Sequence, residues 1–333
     1  MPPLSTLPRA GYLGPEGTFS EEALLGSIDG DAVTPTALET IRDAIMAVQN
    51  RAVEWSLVPI ENSIEGSVTI TLDTLAGEAG EVEIVGEVVL PVRHNLIASH
   101  ALRLEQIETI VSHPHVPGQC ARFLRERVPH ARITAASSTA EAVRLVAERA
   151  GGKSERPPAA EHRLAGKHRP ATEQTPAGEH KLAGEAGGGD GARQWAAIGT
   201  RLAAELYGCV LIARGIQDRE DNETRFVWLA HTGSAGDGPP LQVPDGPARK
   251  TSLVFWGAGA DHAGWLVLCL DEFARRTINL TKIESRPMRE RLGHYMFFVD
   301  LQGSLTEERV TEAISGLRAI CEQVRVLGSY PVA

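Results

Sequence analysis

Between Ala10 and Ala230 short apolar runs alternate with stretches of helical periodicity, and few folds accept that alternation. "AGYLG" precedes "SEEALLGS", and "ALETIRDAIMAVQ" sets Leu38, Ile41, Ile45 and Val48 on one helical face ahead of "WSLVPI". The rhythm continues through "VEIVGEVVLPV", "HNLIAS", "IETIVSH", a helix over "QCARFLRERV", "ARITAAS", a helix over "AEAVRLVAERA", "QWAAIG", "RLAAELYG", "CVLIARG" and "TRFVWLA". Strands and helices in this succession predict an α/β fold, and the length of the run suits two lobes.

Residues 151–192 break the pattern with Gly, Pro, Ala, Glu and Lys and the near-repeat "EHRLAG", "EHKLAG". Such a segment cannot bury enough apolar surface to offset its ordering entropy, so it reads as a disordered surface insertion without a catalytic part. A Gly/Pro-rich linker over 232–249 then leads to a C-terminal unit, 250–333. Strand "TSLVFWG", helix "GWLVLCLDEFARRT", strands "INLTKIES" and "GHYMFFVDLQ", helix "EERVTEAISGLRAIC" and strand "VRVLGS" make the βαββαβ order of a ferredoxin-like domain.

Composition narrows the function. The net charge of -10, with no Lys/Arg cluster among aromatics, argues against nucleic acid as a partner. No segment approaches the roughly 20 apolar residues of a membrane span, and "MPPLSTLPRA" lacks the pattern of an export signal, which points to the cytoplasm. Cys120, Cys209, Cys269 and Cys321 include no CxxC pair, so no metal site is expected from them. "GAGADHAG" fails as a dinucleotide loop because His262 takes the place of the third glycine.

Several polar clusters fall where strands end. In "GYLGPEGTFSEEAL", Thr18 and Glu21 have capping-box spacing, and the Thr18 and Ser20 hydroxyls with free backbone N–H groups suit a carboxylate, although the spacing is equally that of a plain capped helix. "VPIENSIEG" puts Asn62 and Ser63 at a strand exit, as a ligand loop or as an Asx-turn leading into a helix. "VSHPHVPGQC" repeats this with Ser112 and Gln119, and Pro114 between His113 and His115 weakens an HxH metal pair. "NETRF" alone is a turn with an arginine.

In this order, "GPEGTFS", "VPIENSIEG", "SHPHVPGQC", "SSTAEA", "NETRF" and "INLTKIESRP" resemble the prephenate dehydratase family with its C-terminal ACT regulatory domain. The resemblance runs from Gly11 to Tyr330, and no chorismate mutase helices are expected before Gly11. It implies a bilobed catalytic domain over 10–231, periplasmic-binding-protein-like with the site in its cleft, that turns prephenate into phenylpyruvate, water and carbon dioxide without a cofactor. Thr224 would be the catalytic hydroxyl, and Thr18, Ser20, Asn62, Ser63, Ser112, Gln119 and Thr139 would shape the substrate site. Glu284, Ser285, Arg286 and Pro287, with the loop carrying Gly264 and Leu266, would sense phenylalanine, in a homodimer or homotetramer. Two positions depart from the family: Trp265 stands where alanine is usual, and His115 where glutamine is common.

The chemistry fits a hydroxyl. Expelling a poor leaving group as the ring aromatises needs a proton donor, and beside a dianion a threonine donates without adding charge. Arg225 is expected to supply local positive charge to the pyruvyl carboxylate, and Phe226 a dry wall beside the ring carboxylate. The same residues also fit an arogenate dehydratase or an inactive amino-acid sensor.

Overall fold

The computed structural model describes residues 7–28, 32–151, 194–234, 239, 248–257, 262–289 and 292–333. The expected insertion, from residue 152, and most of the expected linker lie outside the described residues. The contacts divide the chain into two compact units, Met1–His94 with Gly215–Ala333, and Asn95–Arg214. Each is mixed α/β around its own sheet.

Along the chain the first unit begins with β1 (Arg9–Leu13), α1 (Phe19–Ser27), β2 (Thr34–Leu38), α2 (Ile41–Gln49), β3 (Trp55–Asn62), β4 (Gly66–Ser67), α3 (Thr69–Gly77) and β5 (Val82–Pro91). The second unit follows with β6 (Asn95–Ala98), β7 (Thr109–Ser112), α4 (Val116–Gln119), α5 (Ala121–Arg127), β8 (Arg132–Ala135), α6 (Thr139–Arg149), β9 (Trp195–Gly199), α7 (Arg201–Leu206) and β10 (Val210–Ala213), its sheet running β10-β6-β9-β7-β8. The chain returns to the first unit through β11 (Glu223–His231) and closes with β12 (Arg249–Trp256), α8 (Trp265–Ala274), β13 (Leu280–Pro287), β14 (Tyr295–Gln302), α9 (Glu308–Ile320) and β15 (Gln323–Pro331). These last six elements have the expected βαββαβ order, with strands arranged β13-β14-β12-β15.

They do not stand apart. The first unit has one ten-stranded sheet, β13-β14-β12-β15-β5-β11-β3-β1-β2 with β4 beside β3, and β15 joins β5 at Gly328 and Ile84. A Cβ on Gly328 would lie 2.1 Å from the Ile84 carbonyl oxygen, so the absence of a side chain permits the approach. One face of β12–β15 packs on α8 and α9 through Leu253, Phe255, Phe273, Val310 and Leu317. The other, with Val254, Phe298 and Tyr330, shares a core with Ile45, Val48, Leu72 and Leu75 of α2 and α3. The sheet also curls: β13 and β3 are six steps apart in it, about 29 Å if flat at about 4.8 Å per step, yet Lys282 and Glu61 are 3.2 Å apart.

β11 lies between β5 and β3 and is apolar on both faces, hence the continuous run "FVWLA". Phe226 and Trp228 join Tyr12 and Leu24 on one side, while Val227 and Leu229 join Ile45 and Leu75 on the other. That alternation decides where the preceding residues point.

Two local expectations are corrected. Leu38 ends β2, paired with Leu13, and the helix starts only after Thr40, whose hydroxyl accepts the Asp43 N–H at 3.0 Å. The "QCARFLRERV" helix is preceded by a separate turn, α4, with Cys120 non-helical at φ -120 and ψ 19 between them. The Asx-turn alternative at Asn62, with a helix behind it, is the one seen: α3 follows although its start "TIT" is β-branched and Val68 offers no side-chain cap.

Candidate active site

The C-terminal end of β3 and the start of β11 form the rung Asn62–Thr224 of an antiparallel ladder. The Asn62 Oδ1 accepts the backbone N–H groups of Ile64 and Glu65, both at 2.9 Å, as an Asx-turn does. Because those groups can only donate, the amide nitrogen must face the other way. It donates to Asn222 Oδ1 at 2.8 Å, Thr224 Oγ1 at 2.9 Å and the Glu223 carbonyl at 3.1 Å. Ser63 completes the tie: its Oγ donates to the Asp221 carbonyl and accepts the Glu223 N–H, each at 3.0 Å. The loop "IENS" and the segment "DNET" are thus stitched together, and Thr224 Oγ1 receives a hydrogen bond while its own hydrogen stays available.

Buried Asn222 was missed by the sequence reading, although it lies within "NETRF" two residues before the threonine. Its Oδ1 accepts from the Asn62 amide, which also serves Thr224 Oγ1 and the Glu223 carbonyl.

On the face that Thr224 shares with Phe226 and Trp228 lies α1. Thr18 is its N-cap: Oγ1 donates to the Leu13 carbonyl at 3.0 Å and accepts the Glu21 N–H at 3.5 Å. Glu21 reaches back to the N–H of Gly17 at 2.5 Å, one residue earlier than in a capping box, and Ser20 is buried in the first turn. The capping alternative for Thr18 therefore holds in the structure, and the helix N-terminus is in place beside it.

In the second unit Ser112 ends β7, Gln119 ends α4 and Thr139 opens α6 after its N-cap Ser138, which accepts the Glu141 N–H at 3.0 Å. The Ser112 carbonyl accepts the Ala136 N–H at 2.9 Å, which ties the loop before Thr139 to the end of β7. Ser112 and Thr139 thus sit at the C-terminal edge of the parallel strands β7, β8 and β9, where α/β folds place ligands.

Two expected substrate contacts are corrected. Arg225 alternates away from Thr224, and its guanidinium lies 2.7 Å from Asp300 on β14, with Glu87 and Glu61 each at 3.6 Å. Burial, the largest single influence, opposes its charge, and Asp300, Tyr330 and Glu87 together outweigh it, so its pKa is raised. In the structure it is a cation largely buried among the chain's own carboxylates. Phe226 is on the face of Thr224 but only 1% exposed, a member of the core rather than a wall.

The C-terminal motifs part company in the same way. Gly264 and Leu266, with His262, Trp265, Val267, Gly293, Tyr295 and Phe297, line a hollow of about 220 Å³ at the start of α8. The Trp265 indole is buried behind it, tilted against Phe255 and Phe297, and donates to the Ile320 carbonyl at 3.4 Å. Along β13, Ser285 and Pro287 are exposed, whereas Glu284 bonds Ser67 and Arg286 grips Asp73 of α3 with bonds of 3.1 and 2.9 Å. His113 and His115 stack at 5.4 Å, and among the described residues no group of three His, Cys, Asp or Glu is placed to hold a metal.

The model of the prephenate dehydratase family matches residues 10–234. The chain belongs to the prephenate dehydratase family. A prephenate dehydratase of Mycobacterium sp. (strain JLS) is 34% identical over 98% of this chain and 89% of its own length. A bifunctional chorismate mutase/prephenate dehydratase of Neisseria gonorrhoeae is 33% identical over 97% of this chain and 74% of its own. Among solved structures, the prephenate dehydratase of Arthrobacter aurescens in complex with L-Phe superposes with a TM-score of 0.73 at 33% identity, covering 97% of this chain and 90% of its own. Among the described residues no helix is long and apolar enough to cross a membrane.

Proposed function

We propose that this chain turns prephenate into phenylpyruvate, water and carbon dioxide, with Thr224 as the hydrogen donor to the departing hydroxyl. The single observation that carries the role of Thr224 is the bond from Asn62 Nδ2 to Thr224 Oγ1, which makes that oxygen an acceptor and leaves its hydrogen to be donated elsewhere. As the ring carboxylate leaves as carbon dioxide, its bonding electrons enter the ring and the hydroxyl departs, taking a proton through Thr224. Solvent restores that proton, so one proton is consumed for each dianion converted. A positioned donor of this kind contributes about 100- to 10,000-fold.

Our candidate substrate contacts are Thr18, Ser20, Asn62 and Ser63 in the first unit, and, taken by itself, the second unit offers Ser112, Gln119 and Thr139. With Arg225 engaged elsewhere, neutral donors and the N-terminus of α1 are left to receive carboxylates in the first unit. Strong pairing of the ring carboxylate would oppose its loss, so a neutral setting favours the reaction.

We assign β12 to β15 with α8 and α9 as an ACT domain and phenylalanine as its effector. The support is the strand order, the hollow at α8 and the L-Phe held by the Arthrobacter aurescens relative. The buried Trp265 indole leaves the hollow in place. Assembly as a homodimer or homotetramer follows the same reading. Turnover of prephenate and of arogenate by the purified chain, with and without phenylalanine, tests it: no turnover of prephenate overturns the activity, and an unchanged rate with phenylalanine overturns the control.

A further inference from the structure

Beneath the rung Asn62–Thr224 lies the rung Glu61–Arg225, the next pair in the β3–β11 ladder, facing the other way. The register shifts immediately after it, between Arg225 and Phe226, so these two rungs are set off from the regular ladder by a bulge. Both members of the lower rung are held by the C-terminal segment. Asp300 on β14 is 2.7 Å from Arg225 Nη1 and is itself oriented by Ser252 Oγ at 2.5 Å, which bonds the Tyr330 hydroxyl at 2.7 Å. Lys282 on β13 is 3.2 Å from Glu61 and also donates to Ser67 Oγ, next to Gly66, the partner of Asn62.

Among the described residues Arg225 has no other anchor as close as Asp300, with which it forms an ion pair. Its Nε and Nη2, like Asp300 Oδ2, are buried and find no hydrogen-bond partner among the described residues, and Glu87, although near, is taken up by Lys250 at 2.8 Å. A buried guanidinium cannot drift from its counter-charge without a large desolvation cost, so its strand follows Asp300.

We propose that Lys282 and Asp300 are positioning residues for the reaction: by holding Glu61 and Arg225 they fix the two backbone segments whose next residues are Asn62 and Thr224, and so aim the hydroxyl. This rests on the reading of Thr224 as the proton donor. It also gives β13 and β14 a part in catalysis without contact with substrate. Displacement of a reacting group by about 1 Å can cost 100-fold, so a partial loosening is visible in turnover.

The test uses the full chain with Lys282→Met, Lys282→Arg, Glu61→Gln, the double variant Lys282→Met with Glu61→Gln, and Asp300→Asn. Lys282 also lies 3.3 Å from Glu284, and both Glu61 and Glu284 are partly exposed, so loss of the lysine leaves charges that water can reach and a chain that folds. Expected for Lys282→Met is a fall in kcat of about 10-fold with KM changed less than about twofold, most of it restored in Lys282→Arg. The double variant should be no worse than the more severe single one. Asp300→Asn should lower kcat further and, without substrate, speed amide exchange over 221–226. Unchanged kcat in folded Lys282→Met, equal loss in Lys282→Arg, or additive losses in the double variant would overturn the proposal. If the unmodified chain does not turn over prephenate, it is the reading of Thr224 that fails. Amide exchange over 221–226 then decides by itself whether Asp300 holds that segment, and unchanged exchange overturns the proposal.

Discussion

Consecutive residues of β11 do opposite things on the two faces of one sheet. The face of Thr224 is half-open and mostly uncharged: a hydroxyl, two asparagine amides and the N-terminus of α1, where the Gly17 N–H already bonds the Glu21 carboxylate. The face of Arg225 is closed and charged, with Arg225, Lys250, Glu87 and Asp300 all nearly buried, drawn from β11, β12, β5 and β14. Chemistry on a dianionic substrate needs donors without fixed charge, while a joint between two halves of a sheet tolerates charges only when each has its partner. A strand with a period of two serves both within adjacent positions, and "TR" is one motif because the two tasks share a backbone.

If the charged face is structural, Arg225→Met should give the largest effect in the molecule. It strips Asp300 of its cation in a site where that carboxylate is 7% exposed, and breaking such a pair costs about 3–5 kcal/mol. Denaturant unfolding measures it. A loss below about 1 kcal/mol, with KM raised instead, would return Arg225 to the substrate.

Next in size is Thr224→Ala, on the neutral face. Turnover should fall about 100-fold or more, equivalent to about 2.7 kcal/mol of barrier, with KM little changed and stability within about 0.5 kcal/mol of the parent. Steady-state kinetics beside a melting curve checks both halves. A matching loss of stability would show that the two faces are not separate in function.

Gly328→Ala probes the joint without touching a charge. The added carbon meets Ile84 backbone atoms at 2.1, 2.8 and 2.9 Å, so β15 must shift away from β5. Overpacking of this kind costs about 1–3 kcal/mol. Amide exchange should rise at β5 and β15 more than at β1 and β2, and uniform exchange would mean that the sheet does not yield at Gly328.

Much of this was legible in the residues. The βαβ rhythm and the βαββαβ order both appear in the structure, because strand and helix periods are written in apolar spacing. The caps at Thr18 and Ser138 were legible as spacing too, and Asn62, Ser63 and Thr224 do come together. What stayed hidden depends on pairing between distant strands. The sequence does not say that Arg225 meets Asp300, or that Lys282 meets Glu61, since separations of this kind carry no local signal. Nor does it show that Val254 and Phe298 share a core with Ile45 and Leu75, which makes a unit read as separate continuous with the first sheet. A motif assigned as a block, such as "ESRP", hides the same alternation: Glu284 and Arg286 face inward to Ser67 and Asp73, and Ser285 and Pro287 face out.

The smallest effect asked of the molecule is the most discriminating. Thr224→Ser keeps an oxygen that accepts from Asn62 and a hydrogen that can be donated, and loses only a methyl group from a half-buried strand position. Loss of β-branching frees χ1, so the serine spends part of its time in rotamers that do not face the donor, and a drop in kcat of a few-fold is expected. Cys at the same position keeps a hydrogen and a similar volume but is a weak donor and acceptor, and Thr224→Cys should resemble Thr224→Ala. Kinetics of the three variants against prephenate separates donation from packing: a serine enzyme as slow as the alanine one means that the methyl group and not the hydroxyl matters, and the neutral face would then owe its activity to some other donor.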